Sequence, residues 1–233
     1  MQEYSENYLE TYTPAVNWTS VRLILTFTIL NNIHTRSIDF ALAFPQADTD
    51  VDNFIELPIC VNVPNGVKRK TIYALSTKNL YELKQASKKY FEYLCDHLRA
   101  EHIGIELRNI DPCIYYKEEI ILVIYVDNCL IFSKKKDAID ALIEQLRMTF
   151  VLTDEGSVST YIGIQVEIDK KENKMKLKQP FLIERIIEAL NYNTHITVKE
   201  TPATPKLVLH KDTEAHEWKQ EWHYRLAIGM LNF

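Results

Sequence analysis

Apolar residues recur along this 233-residue chain with two different periods, and the switches between them lay out the elements. Two β-branched and aromatic runs, 120–125 and 129–132, are parted by a short polar pair and predict a buried hairpin turning at Val126-Asp127-Asn128. A strand at 113–116, opened by Asp111-Pro112, is expected to pair with 120–125 through a tight glutamate-containing turn. The run 36–44, apolar but for the single acid Asp39, predicts another strand. Val21, Leu23, Ile24, Phe27, Ile29 and Leu30 fall at helical spacing and predict a helix over 19–31, packed on one face and capped by Ser20. Leu80, Leu83, Tyr90, Leu94 and Leu98 predict an amphipathic helix from 80 to about 100, and Ile139, Leu142, Ile143, Leu146 and Phe150 one starting near Asp137.

Weaker patterns fill the rest. Residues 54–63 alternate loosely and read as a strand or hairpin arm closing at Pro64-Asn65-Gly66, with a basic loop leading into 72–75. Residues 161–168 and 175–178 read as two hairpin arms. Pro180 opens a helix whose buried stripe is Leu182, Ile183, Ile186, Ile187 and Leu190. The order strand, helix, hairpin, helix, strand predicts an α+β fold, an antiparallel sheet with helices on one face.

Composition narrows the function. A chain that is 46% hydrophobic and 11% aromatic can bury a substantial core as one domain, with or without subdomains. Five glycines and no Walker or dinucleotide fingerprint argue against a glycine-rich phosphate loop. The four cysteines have no paired spacing and the seven histidines form no zinc pattern, which points to a reducing compartment and against structural zinc. No signal peptide opens the chain, and the apolar segment 23–30 is far shorter than the ~20 residues that span a bilayer, so a soluble, non-secreted, cytoplasmic protein is expected.

The net charge of −5 runs against the basic surface that nucleic-acid binding demands. The basic residues are nonetheless clustered, at Lys68-Arg69-Lys70, Lys84 with Lys88-Lys89, Lys134-Lys135-Lys136, and 170–178. Each cluster taken alone reads equally as solvated surface.

Asp127, fixed at the tip of two buried strands, is held rigidly enough to ligate a metal, although Asp-Asn is also an ordinary turn choice. Asp39 supplies a second carboxylate. Two carboxylates about 4 Å apart repel by about 4 kcal/mol at an effective dielectric near 20, so both stay ionised only with a cation between them. Mg²⁺ suits such a pair, because it takes one or two carboxylates plus substrate phosphates.

At this point the sequence resembles a known family. Tyr125-Val126-Asp127-Asn128 is similar to the Tyr-x-Asp-Asp box of reverse transcriptases, and the surrounding chain resembles the copia-type branch of LTR retrotransposon polymerases. Asp39-Phe-Ala-Leu-Ala-Phe-Pro-Gln-Ala is similar to the family's first catalytic motif, and Leu80-Tyr-Glu-Leu-Lys-Gln-Ala-Ser87 to its Leu-Tyr-Gly-Leu-Lys-Gln-Ala-Pro/Ser. Tyr161-Ile-Gly-Ile164 matches Phe-Leu-Gly-Ile, and Glu10-Thr-Tyr-Thr-Pro-Ala-Val16 resembles Glu-Thr-Phe-Ser-Pro-Val-Val. These blocks keep the family's order and cover nearly the whole chain. Two departures stand out: Glu82 replaces the usual glycine, and Asn128 the second acid of the box.

The resemblance implies a right-handed polymerase fold: a ferredoxin-like palm at 36–168 with a finger insertion at about 50–78, partial fingers and an entry helix at 1–35, and from 169 to 233 the end of the primer grip, the start of the thumb and a truncated connection. Further finger strands are expected before residue 1, and the block at 223–233 is expected to be cut off midway. Asp39 and Asp127 become metal ligands, and with Asn128 the catalytic set, for Mg²⁺ or Mn²⁺. Phe44, Lys84, Gln85 and Tyr125 become nucleotide or template contacts, with Phe44 under the sugar as a 2′-hydroxyl gate. Tyr161, Ile162, Gly163 and Ile164 become the primer grip.

Implied partners are an RNA template, a DNA primer, deoxynucleoside triphosphates and other parts of a Pol polyprotein, with no membrane; a virus-like particle or the nucleus are further locations for an active element. Three readings stay open. They are an RNA-directed DNA polymerase, a truncated and catalytically impaired relic with weak nucleic-acid binding, and a ferredoxin-like binding module whose Asp39 and Asp127 are unrelated.

Overall fold

In the computed structural model, residues 2, 8–63, 65, 73–107, 111–169, 171–190 and 224–232 are described. The basic cluster 68–70 and the segment 200–205 lie outside them. Two compact units are present, Met1–Ile162 with Val166–Lys176, and Gly163–Gln165 with Leu177–Phe233.

The first unit is built on β1 (His34–Phe40), β5 (Ile114–Lys117), β6 (Ile120–Tyr125), β7 (Asn128–Ser133), β8 (Leu152–Gly156) and the short β4 (Glu106–Leu107). They form one six-stranded sheet in the order β4-β5-β6-β7-β1-β8, antiparallel at every pairing. The alternation of β1 sorts its residues to two faces. Ile38 and Phe40 join Leu122, Ile124, Cys129 and Ile131 beneath α3 (Ala86–Arg99) and α4 (Lys136–Arg147), whose Tyr90, Leu94, Leu98, Ile139, Leu142, Ile143 and Leu146 complete that core. On the opposite face Val123, Leu130 and Phe132 pack with Val21 and Leu25 of α1 (Trp18–Leu30) and with Val158, Tyr161 and Val166. Two-sided burial explains why β6 and β7 read as continuous apolar runs rather than alternating ones.

Several expectations are corrected. The hairpin turn is the pair Val126-Asp127, and Asn128 already belongs to β7, registered against Tyr125. Asn17, not Ser20, caps α1: its side-chain oxygen accepts from Thr19 N–H at 2.8 Å, whereas Ser20 donates its hydroxyl to Asp111 at 3.1 Å. Leu23, Phe27 and Leu30 of that helix are exposed, so its apolar pattern is wider than the face it buries. The helix expected from Leu80 begins at Ala86, because the chain first turns at Leu80–Leu83, where Leu83 N–H binds Leu80 O at 3.3 Å and Glu82 has φ +72°. That is the position of a type II turn that wants glycine, the residue Glu82 replaces.

The loosely alternating stretch starts earlier than expected, as β2 (Asp48–Glu56), and pairs with β3 (Tyr73–Lys78). The strand expected over 161–168 is broken into β9 (Thr160–Tyr161) and β10 (Ile164–Asp169), followed by β11 (Lys174–Lys178). Ile162 and Gly163, at φ +50° and +73°, form the two-residue turn between β9 and β10. Two successive positive φ angles mark a type I′ reversal, which alternation of side chains does not reveal.

In the second unit α5 (Pro180–Ala189) packs on α6 (Tyr224–Leu231). The stripe expected to be buried on α5 is not: none of its residues is buried, and Ile183 and Ile187 are exposed.

Candidate active site at the end of the central strands

Asp39 is the next-to-last residue of β1, with Asn128 of β7 opposite it on one side and Thr153 of β8 on the other. The backbone N–H of Phe40 donates to Asp127 O at 2.8 Å, tying the hairpin turn to the strand that carries Asp39. Both acids are thereby anchored by backbone at one end of adjacent strands. Burial raises the Asp39 carboxyl above its usual value, and the charges of Asp127 and Glu155 raise it further. Glu155 sits where the β1–β8 register shifts and accepts the hydroxyl of buried Ser37 at 2.8 Å. Bulges of this kind re-aim a side chain relative to its strand.

Val126 has φ +56° while Asp127 does not share it. This is the sign pattern of a type II′ turn, whose first position favours glycine. For an L-residue the left-handed region costs roughly 1–2 kcal/mol, and a β-branched one is a genuine outlier. Such strain persists only where the surroundings impose it, and it gathers at functional sites. Next to it, Asn128 Nδ2 donates to Asp127 Oδ1 at 2.9 Å, so one lone pair of the tip carboxylate is engaged by the residue that stands in for the second acid.

Among the described residues no group of three or more His, Cys, Asp or Glu could hold a metal ion. The candidate donor set is the pair Asp39 and Asp127. It fits a hard cation that arrives with phosphate oxygens of its own, as Mg²⁺ does in nucleotide sites, and the repulsion that raises Asp39 is the interaction such a cation relieves.

Phe44 lies in the single turn α2 (Ala43–Gln46), which follows Leu42 at φ +51°. Half-buried, its ring is 5.0 Å from that of Tyr81 and 6.1 Å, edge-on, from that of Tyr90. Tyr90 is also edge-on to Phe40 at 6.5 Å. It is only 1% exposed, and its hydroxyl is buried with no hydrogen-bond partner in the structure. Burial, then Cys129, Asp127 and Asp39, push its phenol strongly upward. An unpartnered buried hydroxyl costs about 1–3 kcal/mol.

Gln85 is 2% exposed at the start of α3; its Oε1 accepts from Gln2 Nε2 at 2.9 Å, while its own Nε2 has no partner. Lys84 is exposed and its backbone N–H donates to Gln2 Oε1 at 2.8 Å. Tyr125 is half-buried at the end of β6, on the face shared with α1. Tyr161 is 2% exposed, edge-on to Trp18 at 6.2 Å, with a buried and unpartnered hydroxyl; Ile162, Gly163 and Ile164 form the turn and the start of β10.

Several basic residues are neutralised. Lys88 pairs with Glu10 and Glu92, Lys89 with Asp50 and Glu92, Lys135 with Glu119 and Lys174 with Glu172. Among the described residues Lys84, Lys134 and Lys136 form no ion pair. Tyr81 and Glu155 escaped the sequence reading and Tyr90 entered it only as one apolar stripe residue; the available signal for Tyr90 was a polar-tipped ring in a stripe otherwise of leucines.

The profile of the family described as "Reverse transcriptase (RNA-dependent DNA polymerase)" matches residues 1–206. Among individual proteins, the chain is 28% identical over 216 residues to the retrovirus-related Pol polyprotein from transposon TNT 1-94 of Nicotiana tabacum, covering 90% of this chain and 16% of that protein. It is 25% identical over 236 residues to the Pol polyprotein from transposon RE1 of Arabidopsis thaliana, covering 97% and 15%. It is 22% identical over 222 residues to the transposon Ty1-DR4 Gag-Pol polyprotein of Saccharomyces cerevisiae, covering 90% and 13%. The chain thus spans about one-sixth or less of the length of these relatives. With a family match across most of its residues, the chain belongs to the reverse transcriptase (RNA-dependent DNA polymerase) family, as a domain of copia-type character.

Proposed function

We propose that this domain catalyses RNA-directed DNA synthesis, joining the 3′-hydroxyl of a DNA primer to the α-phosphate of a deoxynucleotide with release of pyrophosphate. The observation that carries this reading is the backbone-anchored pair Asp39 and Asp127, brought to one end of the sheet by the β1–β7 pairing and the bond from Phe40 N–H to Asp127 O. Both carboxylates would hold Mg²⁺, or Mn²⁺ in its place. The ions supply charge neutralisation for the attacking and leaving oxygens. The protein's own part is positioning. Rigid strand ends fix the two acids, Phe44 supplies a ring against the sugar, Lys84, Gln85 and Tyr125 border the nucleotide and template, and Tyr161 to Ile164 brace the primer end. On this reading the β-α-β-β-α-β unit at 36–168 is the palm, with a finger insertion at about 50–78, 1–35 the entry to the fingers, and 169–233 the primer-grip end and thumb. The partners are RNA template, DNA primer and deoxynucleoside triphosphates, within a Pol polyprotein.

A second reading is favoured by one observation. The Asn128 amide donates to Asp127 and lacks the charge of a second acid, which describes a relic with impaired chemistry. Primer extension on a poly-rA template with Mg²⁺ and with Mn²⁺ separates the two. The expected outcome is slow extension by the unmodified chain, none by Asp39→Asn, and an increase of about tenfold or more in Asn128→Asp, equivalent to about 1.4 kcal/mol or more at the transition state. Inactivity of both the unmodified chain and Asn128→Asp, at equal fold content by circular dichroism, establishes the relic.

A further inference from the structure

Gln2 and Gln85, far apart in the chain, meet through their carboxamides. Gln2 Nε2 donates to Gln85 Oε1 at 2.9 Å, and Gln2 Oε1 accepts the Lys84 backbone N–H at 2.8 Å. A main-chain N–H only donates, so the second bond fixes which end of the Gln2 amide is oxygen, and the first then fixes Gln85. Gln85 Nε2 is left over. It is buried without a partner, on a residue only 2% exposed, and a buried N–H of this kind marks an acceptor still to come.

The surroundings favour an anionic acceptor. Gln85 is the N-cap of α3, where no side chain caps the helix and the first turn carries no acid. Lys84 is exposed and forms no ion pair among the described residues, and the one acid of the preceding turn, Glu82, is exposed. A helix start, an uncommitted ammonium and two amide N–H groups in one short stretch suit a phosphate oxygen better than a neutral carboxamide. The stretch also borders the acid site, because Tyr81 before it and Tyr90 after it both pack on Phe44, in the turn that follows the Asp39 strand.

We propose that Gln2 is a placeholder at the start of α3: its carboxamide holds the Lys84 N–H and the Gln85 amide in the free protein and yields them to a phosphate oxygen of the incoming nucleotide. The inference rests on the polymerase reading above and adds to it an intramolecular competitor, which sets nucleotide affinity without touching the nucleotide. Once Gln2 is displaced, Gln85 can turn its Nε2 onto the same oxygen, which gives the orphaned donor its acceptor. Two consequences are linked. If Gln2 docks with an equilibrium constant K, docking favours the folded chain by a factor 1 + K and weakens a competing ligand by the same factor. Two partly exposed hydrogen bonds, less the cost of ordering a long side chain, make that factor about five to ten.

The test compares the 233-residue chain with Gln2→Ala, which removes the carboxamide and touches no strand or helix. Binding of dTTP with Mn²⁺ is measured by calorimetry, with Asp39→Asn as the control that removes the metal site, and thermal unfolding is followed without ligand. The expected result is dTTP·Mn²⁺ binding tightened about five- to tenfold, together with a midpoint lowered by about 2–5 °C. Tripolyphosphate with Mn²⁺, which lacks base and sugar, should show the same gain; a gain confined to dTTP overturns the assignment to phosphate. A lowered midpoint with unchanged or weakened binding overturns the proposal and leaves Gln2 a structural brace. An unchanged midpoint overturns it whatever the binding shows, because the two measurements read one docking equilibrium. If neither chain binds dTTP·Mn²⁺, the polymerase reading itself fails and Gln2 has nothing to compete with, whereas equal binding by both chains removes Gln2 alone.

Discussion

Asp39, Glu82 and Val126 each occupy a conformation or environment that their chemistry disfavours. Asp39 is an acid whose carboxyl burial and two like charges push upward. In the ligand-free protein its ionisation therefore costs stability: the cost is absent below the unfolded-state value, grows as pH rises through the folded one, and is fully present above it. Asp39→Asn is thus expected to be more stable than the unmodified protein near neutral pH, with the difference vanishing in acid, as urea denaturation across pH would read. A constant difference at every pH would mean the change acts through packing. Glu82 at φ +72° is exposed and so gives up no packing on replacement. Glu82→Gly is expected to raise stability by about 0.5–1 kcal/mol, the left-handed penalty less the extra unfolded-state freedom of glycine. A destabilised glycine variant would show that the Glu82 side chain contributes something the turn needs. Val126 at φ +56° carries a similar penalty on the acid turn itself.

Among the elements, α1 shows most clearly how a pattern and a packing surface differ. Its apolar residues cover more of the helix than the sheet can bury: Val21 and Leu25 enter the core, whereas Leu23 and Phe27 stay in water. Leu25→Ala is expected to cost 2–5 kcal/mol, in the range of buried leucine truncations, and Leu23→Ala within about 0.5 kcal/mol of nothing. Equal costs in urea melts would mean the helix docks by another face. The strand ends show the complementary point. Asp39 and Asp127 belong to elements separated by most of the first unit in sequence, yet antiparallel pairing of β1 with β7 brings their tips together without any side-chain contact being required.

Over the whole molecule, charge sets the expected behaviour toward nucleic acid. The chain has net charge −5, and Lys88, Lys89, Lys135 and Lys174 are already paired internally, so these four contribute little to the release of counterions from phosphates. Affinity for a primer–template should be weak and should fall with salt. Lys84→Ala should lower the slope of log affinity against log salt by about one, whereas Lys89→Ala, already committed to Asp50 and Glu92, should leave it unchanged. Equal slopes for both variants would remove Lys84 from the phosphate-contacting set.

The sequence by itself determined the types of the main elements, the burial of the central hairpin and the family blocks in their order, whereas the packing of α1 on the face opposite α3 and α4 departs from the one-sided sheet it led us to expect. The former are local or periodic, and side-chain period and composition report them directly. Tertiary structure decided what depends on partners distant in the chain. It chose which part of the α1 stripe is buried and left the α5 stripe at most half-buried, because burial needs a facing surface that no window of sequence contains. It broke 161–168 at Ile162-Gly163 and delayed the helix after Leu80, because a positive φ is a backbone choice imposed by where the chain must go next. It also left the hydroxyl of Tyr90 buried without a partner, where a stripe of helical spacing promised only another ring in the core.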